Sequence, residues 1–141
     1  MKKSRLKSYI CLVLMALICI TSMNGCDSRK LSGDFDEDEV KKAAENVIAL
    51  INNQDSDGLK EICTVQMKGV LTDDTMKKVF ESISEGGNFV KVEGMSVAGI
   101  TDKASEEEFA VVVAKAKYEI KTFTFTISFT KQMKLAGLYY R

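Results

Sequence analysis

The chain has 141 residues, with 20 basic and 20 acidic side chains and neither histidine nor proline. Its first 25 residues hold four of the bases (Lys2, Lys3, Arg5, Lys7) and no acid, so everything beyond them carries a net charge of −4. A mildly acidic body of this length fits one domain and has no electrostatic case for nucleic acid or for anionic lipid surfaces.

Residues 1–25 have the parts of a secretory signal: a basic start, the apolar run Tyr9–Thr21, and a small residue before Cys26. The run falls short of the about 20 apolar residues that a spanning helix needs. Met23-Asn24-Gly25-Cys26 resembles the lipobox of bacterial lipoproteins, with Gly25 and Cys26 matching and Met23 and Asn24 departing from the usual aliphatic and small residues. The resemblance implies that Cys26 becomes the first mature residue and carries diacylglyceryl and palmitate-type chains, holding the protein on the extracytoplasmic face of the cell membrane. Multiple chains on one residue give stable anchoring where one gives marginal binding. Of the four cysteines, Cys11 and Cys19 leave with the signal and Cys26 takes lipid. Cys63 is left without a disulfide partner, and in a chain lacking histidine it reads as a small buried hydrophobe rather than a nucleophile.

Residues 26–34 read as the lipidated cysteine and a polar tether needing no structure, and 35–141 as a single domain. A first helix starts near Asp34 or Asp36, with acids through Glu39 in its first turn, and carries Val40, Ala43, Ala44, Val47, Ile48 and Ile51 on one face as far as Asn52-Asn53. Those contiguous acids cap a helix and lack the spacing of a calcium loop. Asp55-Ser56-Asp57-Gly58 reads as a turn in which Ser56 or Asp57 caps a second helix, continuing from Leu59 towards Leu71. Thr72 caps a third, with Met76, Val79, Phe80 and Ile83 inward, ended by Gly86-Gly87. The stripe Met67, Met76 and Phe80 reads as core, and Gly86-Gly87 lacks the spacing of a phosphate loop.

From Phe89 the period becomes two. Strands are expected at Val90–Ile100, Glu107–Tyr118, Lys121–Thr130 and Met133–Tyr140, joined by short links that force antiparallel neighbours. Gly94, Gly99 and Gly137 mark expected bulges that curl the sheet. In Lys121–Thr130, Phe123, Phe125, Ile127 and Phe129 alternate strictly with threonine and serine, so one face is a greasy ridge. The expected fold is α+β, three helices packed on a curved four-stranded antiparallel meander.

The segments EVKKAAENVIALINNQD, FAVVVAKAKYE and FTISFTKQMKLAGLYYR resemble a family of exported bacterial proteins known as the domain of unknown function numbered 3887, over about Phe35 to Tyr140. The resemblance implies a short relative of the cone-shaped nuclear transport factor 2-like or cystatin-like fold, and it brings neither catalytic residues nor a cofactor.

Three readings of function follow. The first is a membrane-anchored, non-enzymatic binding domain for a small apolar ligand or a partner, with Phe123, Phe125, Ile127, Phe129, Leu135 and Tyr139 lining any pocket in the cone, unless the helices fill it. The second is a homodimerising or envelope-protein docking module with no pocket, in contact through the threonine row, Tyr118 and Tyr140 of the outer sheet face. The third is a small enzyme, which without histidine would depend on a carboxylate such as Glu93, Glu119 or one of Glu106–Glu108, or on a tyrosine, with a shifted pKa. No metal site is expected, since neither a paired-cysteine motif nor histidine is present.

Overall fold

A computed structural model describes residues 30–141; the expected signal segment and Cys26 lie outside the described residues. Four helices, α1 (Glu37–Asn52), α2 (Ser56–Ile62), α3 (Val65–Val70) and α4 (Asp73–Ser84), precede four strands, β1 (Phe89–Thr101), β2 (Glu108–Tyr118), β3 (Thr122–Phe129) and β4 (Leu135–Tyr140). The strands form one antiparallel sheet in the order β1-β2-β3-β4. The α+β class and the meander are as expected, but among the described residues the helices number four rather than three.

The extra helix arises where a tertiary bond overrides a local pattern. Asp55 caps α2 by accepting the Gly58 N–H at 2.9 Å, in place of Ser56 or Asp57. The helix then stops at Ile62, because Cys63 is extended (φ −74°, ψ 150°) and the Thr64 N–H donates to the Leu135 carbonyl at 2.9 Å. Thr64 Oγ1 restarts the helix as α3 by accepting the Met67 N–H at 3.1 Å. Asp36 and Thr72 cap α1 and α4 in the same way, through the N–H groups of Glu39 and Thr75. At the end of α4 only glycine fits position 86, since a Cβ there would come within 2.7 Å of the Phe123 ring.

One face of the sheet is core. Phe123, Phe125, Ile127 and Phe129 of β3 are buried beside Ala110, Val112, Ala114, Ala116 and Tyr118 of β2. Alanines stand opposite the rings in the register pairs Ala110–Phe129, Ala114–Phe125 and Ala116–Phe123. This alternation of small and large side chains leaves space for α1, whose Val40, Ala44, Val47, Ile48 and Ile51 are all buried. Met76, Phe80 and Ile83 of α4, Leu59 of α2 and Met67 of α3 complete the cover.

Bulges decide which side chains share that face. The β1–β2 register slips between Phe89 and Lys91 and again between Val92 and Gly94, while Gly99 pairs regularly with Ala110. In β4, Leu135 pairs with Phe129 and Gly137 with Ser128, so Ala136 is the extra residue. Because facing alternates at every residue, one extra residue inverts everything after it. Leu138 and Tyr140 therefore lie on the core face with Leu135, and Tyr139 lies outside.

Candidate functional site

The six residues expected to line a pocket do not line an opening. Phe125, Ile127 and Leu135 are 0 % exposed, and Phe123 and Phe129 are buried in the same cluster, so the helices fill the concavity. Tyr139 departs from the other five: it sits across from Thr126 on the outer face and is 62 % exposed. The two tyrosines expected on the outer face are on the core face instead. Tyr118 follows Ala114 and Ala116 inward while Lys115 and Lys117 point out, and the Ala136 bulge carries Tyr140 inward to pack at 6.3 Å from the rings of Phe123 and Phe125.

Tyr118 organises the end of the sheet where β1 begins. Its ring meets Phe89 and Phe123 edge to face at 5.5 and 5.3 Å, and its hydroxyl donates to Asn52 Oδ1 at the end of α1 at 2.5 Å. Burial pushes the phenol up to about 12. Phe89 forms a rim between two surface hollows. One, of about 460 Å³, lies between α1 and β1 and is bordered by Ile48, Ala49, Asn52 and Val92. The other, of about 360 Å³, is bordered by Asn52, Gln54, Ser84, Asn88 and Glu119. Phe89 between them is 40 % exposed, and Ile120, beside Gly87 of the second, is 72 % exposed. This rim combines exposed apolar side chains with amide, hydroxyl and carboxylate groups, the mixture found at protein contacts.

Glu119 accepts the Asn88 N–H at 2.9 Å, and that bond holds its carboxyl below the usual range. Asp102 is lowered by Ser105 and the backbone N–H groups of its turn, and Glu108 by Lys131. Cys63 is buried, and loss of solvent pushes its thiol up despite Lys68 and Lys134. Among the described residues no three histidine, cysteine or acidic side chains gather as metal ligands.

At the other end of the sheet, residues 30–36 are pinned rather than free. Leu31 packs on the core, Phe35 is buried, and Asp34 pairs with Lys131 at 2.7 Å, which also reaches Glu108 at 2.9 Å. Only the sequence's polar character was legible here, since the pairing partner of Asp34 lies 97 residues away.

A protein from Ruminococcus gnavus ATCC 29149 solved by NMR has a similar fold, with a TM-score of 0.70 at 19 % identity over 79 % of this chain and 96 % of that one. No curated protein matches. Residues 44–138 match the family described as "Protein of unknown function (DUF3887)", and the chain belongs to that family.

Proposed function

We propose that the protein is a non-enzymatic docking module, anchored through Cys26 on the extracytoplasmic face of the cell membrane, which meets a cell-envelope protein partner at the Phe89 rim. One contrast carries this reading: the cone is filled, with Phe125, Ile127 and Leu135 fully enclosed, whereas Phe89 stays exposed between two open hollows, with Ile120 exposed beside Gly87 of one of them. The reading of an apolar ligand inside the cone loses its support with that packing. The helices covering one face of the meander support kinship with the cone-shaped nuclear transport factor 2-like domains, in a version whose cavity is taken up by side chains. The enzyme reading is disfavoured because two of its candidate carboxylates, Glu108 and Glu119, are held by Lys131 and by the Asn88 N–H in bonds that shift them downwards, and a general acid needs the opposite.

The test has two parts. Metabolic labelling with palmitate should mark the wild type and not Cys26→Ala, and label persisting in the variant would remove the anchor. In intact cells, a photoreactive residue at Ile120 should give one discrete cross-linked protein, and the same group at Lys42 on α1 should not. Absence of any adduct from the rim would remove the docking claim.

A further inference from the structure

We propose that the outer face of the sheet lies against the anionic lipid surface to which the chain is tethered; this rests on the Cys26 anchoring reading. The register puts the side chains of this face in rows. Lys115, Thr124 and Arg141 form one, Ser96, Val113, Thr126 and Tyr139 the next, then Ala98, Val111, Ser128 and Gly137, and last Ile100 with Phe109. Lys117 extends the cationic end. Among the described residues, no ion pair engages Lys115, Lys117 or Arg141. The apolar end exposes Ile100 at 47 %, and Val113 and Tyr139 stand at 38 % and 62 % between the two. Among the described residues no helix packs on this face; the helices cover the opposite one.

Two observations choose the bilayer as occupant. The first is where the chain leaves the domain: Lys30 and Ser32 border the same hollow, of about 250 Å³, as Ile100 and Phe109. Cys26 is four residues before Lys30, and four residues reach at most about 14 Å. The lipid is thereby held beside the apolar end of this face. The second is charge. The net −4 beyond residue 25 conceals an outer face whose rows from Lys115 to Phe109 hold cations and no acid. The nearby acids sit at its margins: Glu93 in a bulge of the edge strand, and beyond the Ile100–Phe109 row the β1–β2 loop, with Glu106, Glu107 and an Asp102 whose N–H bonds the Glu107 carbonyl and whose carboxylate is folded onto Ser105. Basic groups near an anionic leaflet are attracted within a Debye length, and apolar side chains between them add burial at the interface. A sheet face with Lys115, Lys117 and Arg141 at one end and Ile100 and Phe109 beside the anchor suits that surface. Contact there leaves the Phe89 rim at the other end of the sheet from the anchor.

The test uses the full processed chain, purified from membranes and reconstituted into vesicles of phosphatidylglycerol with phosphatidylcholine, or phosphatidylcholine alone. In a Cys63→Ala background, a fluorophore is placed at Thr126→Cys on the outer face or at Lys42→Cys on α1, and a bilayer-confined nitroxide lipid is the quencher. The expected result is strong quenching at position 126 in the anionic vesicles, little at position 42, and loss of the difference in neutral vesicles, at high salt, and in Lys115→Glu/Lys117→Glu with its melting temperature retained. Equal quenching at the two positions, or none at either, overturns the proposal. So does a concentration-dependent dimer in which position 126 is shielded without lipid, since the face would then belong to a second copy. Mass spectrometry of the peptide bearing Cys26 separates the two readings: lipid present with position 126 unquenched overturns this proposal alone, and an unmodified Cys26 overturns the anchoring on which it rests.

Discussion

Phe125→Ala tests whether the ridge of β3 is filled core. The ring is fully enclosed, stands opposite Ala114, and lies 6.5 Å from Phe123 and 6.3 Å from Tyr140. Removing it forfeits about 2–3 kcal/mol of transfer free energy. Alanine at 114 cannot expand into the void, and each Å³ that fails to collapse costs about 24 cal/mol, so a residual ~40–80 Å³ adds roughly 1–2 kcal/mol. The expected loss is about 3–5 kcal/mol, equivalent to a fall of about 10–20 °C in Tm. Urea unfolding followed by circular dichroism measures it, provided the slope against denaturant is unchanged. Tyr139→Ala is the matched control: exposed on the outer face, it should change stability by less than about 0.5 kcal/mol. A Phe125→Ala loss below about 1 kcal/mol would refute the filled core, and a Tyr139→Ala loss as large as that expected for Phe125→Ala would refute the Ala136 bulge.

Further perturbations probe the rim, the strap and the lone thiol. Tyr118→Phe should cost about 1 kcal/mol at neutral pH by leaving Asn52 Oδ1 without its donor. In the wild type the folded phenol keeps its proton after the unfolded one has begun to lose it, so stability falls as pH rises from about 10 towards about 12. Tyr118→Phe should lack that part of the alkaline fall, and superimposable alkaline limbs in urea unfolding would contradict the burial of the hydroxyl. Lys131→Met should speed hydrogen exchange at the Phe35 N–H, which bonds the Ser32 carbonyl at 3.1 Å. The ion pairs lower Glu108 and raise Lys131, so the clamp is fully present between the unfolded values of about 4.3 and 10.4 and is lost as pH falls through the depressed Glu108 pKa. Wild-type exchange should therefore approach that of Lys131→Met in acid, and identical exchange at neutral pH would disprove the clamp. Cys63 should resist alkylation until the domain unfolds; rapid reaction of the native protein would place the thiol outside the core.

What the sequence revealed depended on whether the cause was local. The alternation in KTFTFTISFT is a property of consecutive residues, and β3 faces the core as that alternation demands. The Asp36 and Thr72 caps were legible for the same reason, because each acts on an N–H three positions on. The break at Cys63-Thr64 was hidden because its cause, the Leu135 carbonyl, comes from another part of the chain. Gly137 signalled the bulge in β4, but the facing of Tyr139 and Tyr140 was hidden because the glycine does not say which residue is the extra one, and one slip moves every following side chain. For Tyr118 the signal was present: the run AKAKY puts it with the alanines and against the lysines. The rim itself could not be read, since Asn52 and Tyr118 are 66 residues apart and meet only after folding.

Native mass spectrometry of the processed full chain, with detergent stripped in the gas phase, bears most directly on the claim that this domain works through its surface. The account predicts the mass of the polypeptide and the lipid covalently attached at Cys26, with nothing else retained. A further apolar molecule, held by the folded ions and released on unfolding, would contradict it by showing that the space between the helices and the β3 ridge opens to a ligand.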